Sequence, residues 1–182
     1  SGVYPNRDKP GGYAAYSEVM GHFIRDVRQD LDAPGLPFVI GVMGVGGPVS
    51  EYGPDRQRYA STHQNFRDAM AAPALRPEFR GNVFPVLTET YWDRQLQDLT
   101  ARDDRIKRTA RQITQAKEKP QQATAEILAQ LRAEEFSAEE REILSSAISN
   151  QAYHYLGAGK IMAQIGRAFA EPLLESGRNP SR

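Results

Sequence analysis

The sequence contains no cysteine. That excludes disulfides, thiolate zinc sites and a cysteine nucleophile, and it leaves the compartment open. No apolar run approaches the ~20 residues that a membrane-spanning helix needs. Neither sign of charge is in excess, since 23 Lys and Arg balance 23 Asp and Glu over 182 residues. Such a balance argues against nucleic acid or a membrane surface as a partner, because neither a basic arm nor a polybasic anchor is present. Internal repeats and low-complexity tracts are also lacking. The chain opens Ser1-Gly2-Val3-Tyr4-Pro5 without an initiator methionine or a signal-peptide pattern, the start expected of a processed protein or a fragment. What is present is a soluble globular balance, 40% hydrophobic and 25% charged, sized for one domain or a piece of a larger one.

Residues 1–12 are polar and rich in Gly and Pro, as in a loop. From Tyr13 the residues Tyr16, Val19, Met20, Phe23, Ile24, Val27 and Leu31 follow helical spacing and predict one apolar face. Pro34 and Gly35 stop that helix. The run 36–44 is short, apolar and β-branched, which predicts a strand buried on both faces. A helix is expected over Ala60–Ala72 with Phe66 and Met70 inward. Residues 82–88 predict a second strand, and Pro85, which cannot donate to a ladder, assigns it to a sheet edge. From Asp93 to Ala147 the pattern is helical. Leu99, Ile106 and Ile113 recur every seven residues, Lys119-Pro120 breaks the helix, and Ala123, Ile127, Leu128 and Leu131 mark a second one. Ser137 with Glu140 three residues on reads as a capping box opening a third. Ser149-Asn150-Gln151 interrupts helix before a last one, from Ala158 to about Leu174, expected to bury Met162, Ile165, Phe169 and Leu173. The tail from Glu175 is polar.

Two strands that alternate with helices imply a parallel sheet joined by helical crossovers. Two parallel strands alone leave bare edges and uncovered faces. The expected fold class is therefore α/β, with the rest of the sheet lying outside this chain. Three segments are expected: part of the α/β domain over 1–92, a helical insertion over 93–147, and 148–182 returning to the same domain.

Several motifs fail on inspection. Gly157-Ala158-Gly159-Lys160 lacks the spacing and the Ser or Thr of a phosphate loop. Gly44, Gly46 and Gly47 follow a strand, but Pro48 removes a backbone donor and Val49 stands where a dinucleotide loop has its third Gly. A loop at the carboxyl end of a parallel strand is nonetheless where an open sheet places its ligand, so Gly46 and Gly47 are candidate substrate-binding positions. No two histidines have metal-ligand spacing, so no metal site is expected. His22 lies within the first helix and reads as structural. His63 is either a surface cap or part of the site lining. His154 lies in a break between helices, flanked by Tyr153 and Tyr155, and a loop position on a rigid scaffold suits a general base. Packing among tyrosines is the competing reading. After the second strand come Glu89, Tyr91, Trp92 and Asp93. Glu89 or Asp93 could orient an imidazole, and Tyr91 and Trp92 could stack on a sugar face or simply anchor the helical segment.

The segments Gly2–Tyr13, Phe38–Pro48, His63–Met70 and Tyr153–Gly157 resemble the sialate O-acetylesterase-like group of the SGNH (GDSL-type) hydrolases. The likeness runs over nearly all 182 residues but matches only the carboxyl-terminal part of that domain. It implies a three-layer αβα, flavodoxin-like sandwich with strands in the order 2-1-3-4-5, of which the two strands here are the fourth and fifth. It also implies a serine esterase that removes O-acetyl groups from carbohydrate, with no metal or organic cofactor. The blocks that carry the Ser nucleophile and the Gly and Asn oxyanion donors are absent from this sequence. His154 matches the last-block His, the general base. The family's Asp three residues before it is replaced by Gln151, so the ring's partner is open: Glu89, Asp93 or a backbone carbonyl. Gly46, Gly47, His63, Tyr91, Trp92 and Tyr153 form the expected substrate-binding set. An acetylated polysaccharide substrate would imply export. The alternative reading is an inactive scaffold whose helical insertion binds a protein partner.

Overall fold

A computed structural model describes residues 4–116 and 121–178. Its elements run α1 (Ala14–Asp30), β1 (Phe38–Val42), α2 (Ala60–Ala71), β2 (Val83–Leu87), α3 (Arg94–Ala116), α4 (Gln121–Glu135), α5 (Ala138–Ser146) and α6 (Gly159–Arg178), with short 3-10 turns between several of them. The break expected at Lys119-Pro120 and the end of the polar tail lie outside the described residues. The chain divides into two compact units, Ser1–Trp92 with Ile161–Arg182, and Asp93–Lys160.

In the first unit β1 and β2 pair in parallel, with Phe38 opposite Val83 and Val42 opposite Leu87. Among the described residues the sheet has only these two strands. Alternation along the strands sends Phe38, Ile40, Val42 and Val83 to one face. There they meet Ile24 and Met20 of α1, Met70 and Ala71 of α2, and Ala74 and Phe79. On the opposite face Gly41 leaves room for the Phe169 ring of α6, which a β-carbon there would strike. The chain is thus a helix-rich α/β protein with a small parallel sheet. Pro85 and Leu87 are exposed, as an edge position for β2 requires.

The apolar face expected for α1 is only half used. Its buried positions are Ser17, Gly21, Ile24 and Arg28, at helical spacing. Val19, Phe23 and Leu31 are exposed, Val19 by 66%. The covered side packs against α2, the turn Ala72–Leu75 and the sheet core, and the neighbouring stripe stays open. The buried polar members are satisfied. Ser17 Oγ donates to the Ala69 carbonyl at 2.7 Å, and Arg28 donates to the Leu36 carbonyl and to Asn82 Oδ1. His22, read as structural, is exposed. The same shift occurs in α6. Ile161 and Ala168 are buried, whereas Met162 and Leu173, expected inward, are exposed.

The second unit is a set of helices with its own core, Leu99, Ile106 and Phe136 against Leu128, Leu131, Ile143 and Leu144. The heptad spacing in α3 drifts, because 3.6 residues per turn does not match a repeat of seven. Ile113 is only half-buried, while Asp103 and Thr114 enter the seam. Asp103 is buried with both oxygens on Arg132 (2.6 and 2.9 Å) and one on Lys107 (2.9 Å). Burial alone would raise its pKa, but these two cations outweigh that and hold it below the ordinary carboxylate value. The capping box at α5 forms in both directions, Glu140 N–H to Ser137 Oγ and Ser137 N–H to Glu140 Oε2.

The two units meet in sequence at 92/93 and at 160/161. The loop carrying His154 therefore groups with the helical unit, because its backbone closes on itself and lies against α3.

Candidate functional site

His154 lies in the segment Ala152–Gly157, between α5 and α6, and is exposed. The turn that presents it is left-handed at three successive residues, Tyr155 (φ 52°), Leu156 (φ 61°) and Gly157 (φ 59°). Two of these carry side chains, and each such residue costs about 1–3 kcal/mol of backbone strain. The surroundings fix it. The Leu156 carbonyl accepts from the N–H groups of both Ser149 and Asn150 at 3.0 Å, and Leu156 N–H donates to Gln151 at 3.1 Å. Ser149 Oγ donates to the Gly157 carbonyl at 2.9 Å, and the Leu156 side chain is 1% exposed. A clamp of this kind holds an exposed side chain in one place. The Tyr153 ring meets the imidazole edge-on at 4.5 Å between centroids. Tyr153 is itself exposed, so it remains able to touch a ligand.

The imidazole partner is neither carboxylate named from the sequence. His154 Nδ1 lies 3.1 Å from Asn150 Oδ1. Asp93 belongs to the same unit, but its carboxylate accepts from Lys160 Nζ at 2.7 Å and from Leu96 N–H at 3.1 Å at the start of α3. Burial would raise the Asp93 pKa; Lys160 and the helix N–H groups overcome this and keep it low, so it is ionised and already neutralised. Glu89 is paired with Arg67. Sequence reasoning passed over Asn150, although it stands four residues before His154.

At the carboxyl ends of β1 and β2 the structure builds a second constellation, around Arg67 of α2. This side chain is 3% exposed, and each of its five N–H groups has an acceptor. Nε donates to the Met43 carbonyl (2.8 Å), and Nη1 to the Gly47 carbonyl (3.1 Å) and to Glu89 Oε2. Nη2 donates to the Val45 carbonyl (3.2 Å) and to Tyr52 Oη (3.3 Å). The Tyr52 oxygen that accepts from Arg67 is also hydrogen-bonded to His63 Nδ1, at 2.9 Å. The His63 ring is stacked on Tyr59. Burial pushes its pKa down, and the charges of Arg67 and Arg56 add to this.

This arrangement corrects the expectation for Gly46 and Gly47. Their backbones are closely approached, but by arginine rather than by open ligand space. Gly46 is at φ 84° and its carbonyl accepts from Arg56, whose guanidinium a β-carbon at Gly46 would strike. Trp92 is also corrected. It is 8% exposed, so its ring has no face to offer a sugar. A large indole is buried for its area. Tyr91 is half-buried and lines a cleft of about 370 Å³ with Phe84, Val86, Leu87 and Ala168. The described residues contain no group of three His, Asp or Glu able to hold a metal ion, and none of their helices is long and apolar enough to cross a membrane.

No protein-family model, curated protein or solved structure matches the chain.

Two consequences follow for measurement. The unfolded His63 ring titrates near 6.5, whereas the folded ring titrates lower. Between those values the unfolded state binds more protons, so stability falls as pH drops through about 6.5 and levels off once the folded ring is protonated. Urea unfolding over a pH series should show wild type losing stability relative to His63→Phe across that window. Parallel curves would refute the lowered pKa of the folded ring. For the His154 loop, Gly157→Ala would place a β-carbon 2.2 Å from Ser149 Oγ and 2.9 Å from Asn150. Together with the left-handed φ, this should destabilise the chain by about 1–3 kcal/mol in thermal or urea unfolding. An unchanged melting profile would mean that the loop is not clamped as described.

Proposed function

We propose that this chain is the carboxyl-terminal, general-base part of a serine esterase that removes O-acetyl groups from carbohydrate, with the nucleophilic Ser supplied from outside the 182 residues. The observation that carries this reading is the exposed His154 imidazole, held by one ring nitrogen on a backbone turn that is strained and then closed by hydrogen bonds. Strain of this kind persists where the surroundings over-determine it, and it gathers at functional sites. The likeness to the sialate O-acetylesterase-like hydrolases in the four sequence segments supports it. So do the uncovered stripe of α1 and the two-stranded sheet, which fit a three-layer αβα sandwich whose other strands come from elsewhere.

The chemistry is acyl transfer. The Ser oxygen attacks the acetyl carbonyl while His154 takes the hydroxyl proton. The tetrahedral intermediate collapses, the sugar oxygen leaves, and His154 returns the proton to it. Water then attacks the acyl-serine, again giving its proton to His154, and acetate and free Ser are released. Donors to the oxyanion would come with the Ser. No step calls for a metal or an organic cofactor. Tyr153, beside the imidazole, is placed to touch the sugar next to the acetyl group.

A second reading is favoured by two observations. The ring partner is a neutral amide, and the helical unit has a core of its own, as an inactive scaffold with a partner-binding helical module would. The experiment that separates the two is labelling with a serine-directed fluorophosphonate. The esterase reading expects covalent labelling of a Ser upstream of this chain in the longer polypeptide. Absence of labelling in that polypeptide, folded and at neutral pH, supports the scaffold instead.

A further inference from the structure

We infer that Asn150 is the positioning residue of His154, fixing its tautomer as well as its orientation. This rests on the esterase reading for its consequence but not for its geometry. Asn150 Oδ1 accepts from the Gln151 backbone N–H at 2.8 Å. A backbone N–H can only donate, so the side-chain atom at that place is the oxygen and not the amide nitrogen. The same oxygen lies 3.1 Å from His154 Nδ1. An amide oxygen can only accept. Nδ1 must therefore carry the proton, and in the neutral ring the lone pair is on Nε2. That is the form a general base needs, because Nε2 is then the nitrogen that receives the Ser proton.

Asn150 is in turn held in place. Its backbone N–H donates to the Leu156 carbonyl at 3.0 Å, beside that of Ser149. The left-handed turn thus does two things at once: it exposes His154, and it returns the chain so that Leu156 pins the residue that orients the ring. Gln151, at the position where an acidic partner was sought, contributes its backbone. Its N–H anchors Asn150 Oδ1, and its carbonyl accepts from the N–H groups of His154 (3.0 Å) and Leu156 (3.1 Å). A neutral partner selects the tautomer yet adds no charge to stabilise the imidazolium. Asn150 therefore acts on geometry and tautomer alone.

The test is ¹⁵N NMR of the imidazole in the 182-residue chain, at a pH where the ring is neutral. It needs no substrate and no Ser, so its failure is separate from a failure of the esterase reading. The expected result is a protonated Nδ1 and a bare Nε2 in wild type, moving to predominantly protonated Nε2 in Asn150→Ala. Asn150→Asp, which keeps an acceptor oxygen, should restore the Nδ1–H form. A bare Nδ1 in wild type would overturn the inference without recourse to any variant, and so would a tautomer unchanged by Asn150→Ala in a chain whose helical circular dichroism is intact. In the polypeptide that carries the nucleophile, Asn150→Ala should lower kcat by on the order of 10²-fold with KM little changed, and Asn150→Asp should recover it. A fall in stability with no change in kcat would mark Asn150 as merely structural.

Discussion

On the proposal that His154 is the general base of an esterase whose Ser lies outside these 182 residues, replacing His154 by alanine in a polypeptide carrying both is expected to lower kcat for aryl acetate hydrolysis by about 10²–10⁴-fold, the range that a positioned general base contributes. KM should change little, because the imidazole acts on a proton in flight and not on the bound ester. The side chain is exposed, and among the described residues its ring nitrogens bond to Asn150, so the loop and the fold should survive its removal. The Gly157 and Leu156 clamp lies in the backbone and in a buried isobutyl group, neither of which depends on imidazole. Steady-state kinetics with an aryl acetate, alongside a melting curve, checks this. A variant within a few-fold of wild type would remove His154 from the chemistry.

The second large effect is on stability. Arg67→Met should destabilise the chain by about 3–5 kcal/mol, the usual cost of removing one partner from a buried charged pair. The guanidinium holds three carbonyls of the loop after β1, the Glu89 carboxylate after β2 and the Tyr52 hydroxyl. Without it, Glu89 remains partly buried with no cation, and the carbonyls of Met43, Val45 and Gly47 lose their donor. Arg67→Lys should not rescue it, since one ammonium with three donors cannot reproduce a planar fork with five. Natural domains are stable by about 5–15 kcal/mol, so either variant should approach the limit of folding. Urea unfolding is the measurement, and a loss below about 1 kcal/mol would contradict a central role for this group.

Much of the fold was legible because it is local. The two strands, their parallel sense and the helices between them follow from apolar runs, Pro and Gly stops and alternation. The Ser137–Glu140 box closes because its two partners lie one turn apart. Arg67 was not legible. A charged residue within a helix reads as solvent-facing, and its burial depends on acceptors 15 to 24 residues away in sequence, on two different loops. The outward stripe of α1 is illegible for a similar reason: Val19 and Phe23 are apolar at helical spacing, but which side of the helix is covered depends on where distant elements, α2 and the turn Ala72–Leu75, pack. Of the two readings open for Trp92, a sugar-stacking face or an anchor, its burial disfavours the first. At the site, His154 was found from its place in a helix break. Its partner was sought among acids because a carboxylate stabilises an imidazolium. Asn150 carried a usable signal in its distance of four residues, across a turn that brings Asn150 and Leu156 together. No periodicity predicts three successive left-handed residues, so the turn itself was invisible.

The most direct measurement is acetate release from an acetylated oligosaccharide by the 182-residue chain, with and without the segment that bears the nucleophile. The expected result is no release above the buffer rate by the chain alone, and release that requires His154 once the Ser segment is supplied. Acetate released by the chain alone, and abolished by His154→Ala, would contradict a nucleophile supplied from outside.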